Sequence, residues 1–337
     1  MKQRSYYLDN VCCLLILYMI YINHVAAACG YNSSVVKFIG TSLSFFMSWF
    51  FFKGGMLHKK VSTKELIRKS TKRLLVPYLI FLLFGFFLDV IIRTINDESL
   101  KIILIKDAFF FAKSAIVTST AASWFLLSLF VVRLLFNFFE NKAHCFFLTG
   151  ILLFAAYGIY VIQSYVGLFY MQYEGYKEPC FIPDWIGNIC HGLLAYTLGF
   201  CLKEKQFENK MFILALLLFA LKYIIPAEID FRTNISTGVH YLLAVIYGIS
   251  GCIVVNNLFR RYVDVKIKMF TYIGYNSMLY YLIHYPVIYT TTKLFSSYVK
   301  EYDIQIRYYL LSLIVTIFLI IAEFIFRNKR IRFIIGG

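Results

Sequence analysis

The sequence predicts an all-α fold, a polytopic membrane helix bundle of about ten transmembrane helices with both termini cytoplasmic. Three observations carry this expectation. Of 337 residues, 60% are hydrophobic and only 15% charged, with a mean hydropathy of +0.70, a balance foreign to soluble globular chains. Apolar runs of about 17–25 residues, the length that crosses hydrocarbon, recur from end to end. The formal charge of +16 is concentrated in alternate connecting segments, above all 58–73, which holds Lys59, Lys60, Lys64, Arg68, Lys69, Lys72 and Arg73. The positive-inside rule makes those segments cytoplasmic. Anionic lipid headgroups account for such a surface, so the charge implies membrane lipids as partners and no nucleic acid.

The first run, 8–28, follows Lys2 and Arg4 and ends Ala26-Ala27-Ala28-Cys29. It is too long for a cleaved signal and contains Asn23 and His24, so it reads as a retained span. The second, 35–57, is rich in aromatics and closes on Gly54-Gly55, which permits close backbone approach. The third, 74–92, carries Pro77 in its first turn, where a missing N–H costs little. Residues 100–115 interleave Lys101, Lys106 and Lys113 with apolar side chains; too charged to span, they are expected in the interface or folded over an opening. The remaining runs are 118–139, 145–167, 185–201, 210–226, 237–256, 269–292 and 305–326. Polar residues shorten or interrupt the fourth, sixth and seventh spans. No Pro/Ser-rich linker or repeat divides the chain, so one transmembrane domain over 1–337 is expected.

The eight cysteines form no CxxC and no Cys/His metal spacing. They read as small apolar packing groups, with no metal; a Cys180–Cys190 disulfide near the outer face stays open. GxSxG, HExxH, P-loop and Gly-rich nucleotide fingerprints are also missing from the sequence, leaving serine hydrolases, zinc peptidases and ATP-driven pumps without support.

The chemistry concentrates on histidine. His24 lies about 16 residues into its span and His284 about 15 into its own, so both sit roughly 22–24 Å across, in the outer half of the hydrocarbon. His191 and His240 fall at compatible depths. Ionisable groups inside a membrane are costly and usually serve a cavity. A neutral imidazole can take a proton from a hydroxyl and return it to a leaving group, as acyl transfer to an alcohol requires. Asn23, Asn276 and Ser277 stand where they can orient such a base, bind substrate, or simply link helices by hydrogen bonds. Nearer the inner face, Lys53 and Arg133 are placed with Arg68, Lys72 and Arg73 to counter the phosphates of a cytoplasmic donor; lipid contact and snorkelling are their alternatives.

Five segments resemble the acyltransferase-3 family of integral-membrane acyltransferases. They are Tyr6-Tyr7-Leu8-Asp9-Asn10 with the span ending in His24, the aromatic Ser48 to Met56, the basic Lys72-Arg73 leading to Pro77-Tyr78, Trp124-Phe125-Leu126-Leu127, and Ile273 to His284. The resemblance implies an enzyme that takes an acyl group, usually acetyl, from acyl-CoA and passes it to a hydroxyl of a surface polysaccharide, glycolipid or lipid-linked sugar. It implies His24 as the essential first-helix histidine. The expectation built on it is a multi-pass O-acyltransferase of the bacterial inner membrane, with His24 as general base and His284 assisting acceptor binding or proton transfer. Two positions depart from the family. Cys12-Cys13 stands where a basic residue is usual, and Lys53 where a small or apolar residue is usual. A non-enzymatic glycan transporter or flippase and a catalytically silent relative remain rival readings, and a homo-oligomer stays open.

Overall fold

The computed structural model describes residues 5–138, 142–166, 170–173, 176–179, 183–228, 238–299, 302–328 and 330–336. Among the described residues, seven helical stretches are long and apolar enough to cross a membrane: Tyr6–Cys29, Ser34–Met56, Thr63–Ile95, Leu100–Phe138, Asp184–Leu202, Val239–Tyr262 and Ile304–Phe326. The chain is a polytopic helix bundle. The other three expected runs also fall on helix. Run 145–167 lies on Lys142–Val166 and run 210–226 on Asn209–Leu221. Run 269–292 is two helices, Lys268–Tyr275 and Ser277–Val299, broken at Asn276. Among the described residues the one departure from helix-and-loop is an antiparallel hairpin, Tyr170–Tyr173 with Tyr176–Pro179. Cys180 lies outside the described residues.

Residues 100–115 form a regular helix, Leu100–Ser114, ended by Ala115 in a left-handed conformation at φ 54°. Two of its charges, Lys106 and Asp107, meet the end of the preceding helix and the loop after it, while Lys101 is exposed. Arg93 donates to Glu98 at 2.7 Å and faces Asp107 at 3.6 Å, and Lys106 reaches Glu98 at 3.3 Å. A 3-10 turn, Thr118–Ser123, then feeds the Trp124–Phe138 helix.

Two packing devices set the geometry of the interior. The first uses glycine. A Cβ on Gly55 would stand 1.9 Å from the Tyr196 carbonyl oxygen, and one on Gly199 would stand 2.1 Å from that of Phe52. Only hydrogen fits at either place, so the Phe46–Met56 and Asp184–Leu202 helices cross in backbone contact. The second uses hydrogen bonds. Asn10 is fully buried and donates through Nδ2 to the Val263 and Val265 carbonyls at 2.7 and 3.0 Å, while the Tyr7 N–H donates to Asp264 at 2.9 Å. A buried amide has to find such acceptors. Together they lock the start of the first helix onto the loop that precedes Lys268–Tyr275.

Two stretches depart from α winding. Tyr18–Val25 and Thr71–Leu75 are π-helical, with hydrogen bonds one residue longer than in an α-helix. Such segments are rare and often sit at functional sites. The first contains His24, and the second contains Lys72 and Arg73.

Candidate active site

His24, near the end of the first π segment, meets His284 across the bundle. His24 Nδ1 and His284 Nε2 are 2.8 Å apart, and the rings stack at 4.9 Å with an interplanar angle of 22°. His284 is fully buried, whereas His24 is half-buried, with Tyr285 edge-on to it at 5.3 Å. The proton positions follow from the partners. His284 Nδ1 lies 3.1 Å from the Tyr280 carbonyl, which can only accept, so this nitrogen carries the hydrogen. In the neutral ring Nε2 is then an acceptor, and it takes the Nδ1–H of His24. His24 is left with its lone pair on Nε2. The helix backbone at Tyr280 thus fixes, through two rings, which nitrogen of His24 can accept a proton.

A separate cavity of about 370 Å³ opens at the basic end of the bundle. Lys53, Arg73, Arg133 and Ser277 line it, so four of the sequence-derived binding residues do converge. Lys59, Lys69 and His58 add to its basic wall. His58 Nδ1 sits 2.9 Å from the Tyr196 hydroxyl, on the helix that Gly55 and Gly199 bring into contact. Cys12 also lines the cavity, facing the same space as Lys53, which lies 5.1 Å above the Trp49 ring. Ile16, Phe125 and Tyr281 are the lining residues furthest along their helices from the basic mouth. Neither His24 nor His284 lines the cavity. Tyr281 stands between, its hydroxyl donating to the Ala122 carbonyl and its ring 6.2 Å from that of His284.

Three expected site residues lie elsewhere. Arg68 and Lys72 are exposed and outside the lining. Successive helical residues diverge by about 100° around the axis, so the Thr63–Ser70 helix offers Leu66 and Lys69 to the cavity and turns Arg68 away. The π winding after it does the same for Arg73 and Lys72. Asn276 faces a different, smaller cavity with Tyr272, Glu323 and Arg332. Asn23 is half-buried immediately before His24. His58 and His191 have their own partners. His191 belongs to its own buried group, with Ser48 Oγ at 3.0 Å and the Tyr241 hydroxyl at 3.3 Å. Nothing in the sequence singled out His58 or Tyr281: one follows a glycine pair, and the other is one of several aromatic residues in the run that ends at His284. Among the described residues no cluster of three side chains is arranged to hold a metal ion.

A family model described as an acyltransferase domain, acyltransferase-3, matches residues 5–325. No curated protein and no solved structure gave a match to the chain.

Proposed function

This chain belongs to the acyltransferase-3 domain family, and on that premise, which makes it a multi-pass membrane acyltransferase, we propose that it is an O-acyltransferase of bacterial surface carbohydrate. The donor is acyl-CoA, acetyl-CoA first among them, and the acceptor a hydroxyl of a polysaccharide, glycolipid or lipid-linked sugar in the inner membrane. The observation that carries this reading is the two-histidine chain that leaves the lone pair of His24 on Nε2.

In the proposed reaction His24 Nε2 takes the proton of the acceptor hydroxyl as its oxygen attacks the thioester carbonyl. The imidazolium that forms keeps its Nδ1–H bond to His284, whose Nε2 stabilises the added charge. Collapse of the tetrahedral intermediate breaks the C–S bond, and the proton on His24 passes to the departing thiolate. Ester and free CoA result, and the base is regenerated.

Lys53, Arg73 and Arg133, with Lys59 and Lys69, supply counter-charges for the CoA phosphates in the basic cavity. Lys53 and Cys12 share that cavity, which supports a transposed cation: the charge usual on the first helix is carried here by the second. The acyl group then has to cross the Phe125–Tyr281 boundary to meet His24. A transporter would call for a continuous polar groove, and the aromatic end of the cavity favours transfer instead.

The test is His24→Ala in cells that display the acceptor, with equal membrane abundance verified by blotting. Loss of O-acyl groups from surface glycan by mass spectrometry is expected; undiminished acylation removes the base assignment.

A further inference from the structure

A second cavity, of about 200 Å³, opens between the Lys268–Tyr275 helix and the end of Ile304–Phe326. We propose that it binds the phosphodiester of an anionic lipid headgroup, a site independent of acyl transfer.

The first argument is charge. Arg327 and Arg332 both line the cavity, and among the described residues neither forms an ion pair. Glu323 is the acid in the wall, and it is already engaged: its two oxygens accept from the Tyr272 and Tyr280 hydroxyls at 2.6 and 2.8 Å. Two guanidiniums against one carboxylate leave a single positive charge (+2 − 1 = +1), the complement of a monoanionic diester. Arg332 is held only loosely, 3.4 Å from the Asn276 oxygen and 5.9 Å from the Tyr275 ring, so most of its donors remain for a ligand.

The second argument is place. Arg327 is the first residue beyond the membrane-length helix Ile304–Phe326, which puts the guanidiniums at the level of headgroups. Leu279, Phe326 and Ile335 give the cavity an apolar floor, and Tyr272 and Tyr275, 44% and 61% exposed, form its rim. A water-soluble anion has no use for that floor, whereas the acyl chains of a lipid do. The same segment touches the donor side: a Cβ on Gly336 would stand 2.3 Å from the Arg73 carbonyl. Asn276 faces this cavity and Ser277, the next residue, faces the other.

The full chain in neutral detergent is titrated with short-chain phosphatidylglycerol, short-chain phosphatidylcholine and glycerol 3-phosphate, with thermal unfolding as the readout. Phosphatidylglycerol should bind about tenfold or more tightly than phosphatidylcholine, as expected for charge-assisted hydrogen bonds to a diester. Arg327→Gln with Arg332→Gln should abolish that preference, and Arg330→Gln, an exposed site outside the lining, should keep it. Equal binding of the two lipids by the unaltered chain overturns the proposal without recourse to any variant. So does a preference that survives in the double variant. A shift with glycerol 3-phosphate equal to that with phosphatidylglycerol would make the ligand a soluble phosphate and refute the lipid assignment.

Discussion

The role proposed for His284 rests on a carbonyl. Tyr280 accepts from one face of its ring, so the other face must accept from His24. A structural imidazole would contribute volume alone; an orienting one contributes a lone pair at a defined place. His284→Ala is therefore expected to lower turnover by about 10²-fold, within the range for positioned proton transfer, with the KM for donor unchanged. His284→Gln, whose side-chain oxygen can still accept from His24, should recover part of the loss. Equal losses in steady-state assays of the two variants would reduce His284 to packing. The pair was legible in the sequence because an ionisable group stands out in an apolar run. The choice of Lys69 and Arg73 over Arg68 and Lys72 was not, because the facing side is decided by helix phase and by π winding, which a regular 3.6-residue reading cannot follow.

Among elements, the crossing of Phe46–Met56 with Asp184–Leu202 does most to shape the basic cavity, since it delivers Lys53, His58 and Tyr196 together. Gly55→Val adds a side chain where a carbonyl oxygen already sits, 1.9 Å from the new Cβ. The helices must part, and a cost of about 1–3 kcal/mol, the usual penalty of overpacking, is expected. A lowered unfolding temperature of the purified variant would register it, while an unchanged one would show that the crossing yields without strain. The glycine pair itself was readable as a point of close approach. Its partner helix was not, because nothing local to Gly54-Gly55 names residue 199. The break at Asn276 was hidden for a related reason: hydropathy carries on across it, and only the backbone reveals the interruption.

At the scale of the molecule, the distribution of charge and apolar surface was plain from composition, and the bundle follows it. Distances between far-apart segments were not, and they divide the expected site into two compartments. The basic one is expected to act through long-range attraction. Arg73→Ala with Arg133→Ala should raise the KM for acyl-CoA by about tenfold at low salt with kcat unchanged, and the difference should shrink as salt screens the phosphates. A fall in kcat at constant KM would instead implicate these arginines in the chemistry. Between the compartments stand Phe125 and Tyr281, the latter tethered to the Ala122 carbonyl. Thioesters are prone to attack by any activated water, and an imidazole facing a loaded donor would squander it while no sugar is present. In the proposed reaction these rings insulate the reservoir from the base, and futile hydrolysis should be slow until an acceptor is at hand.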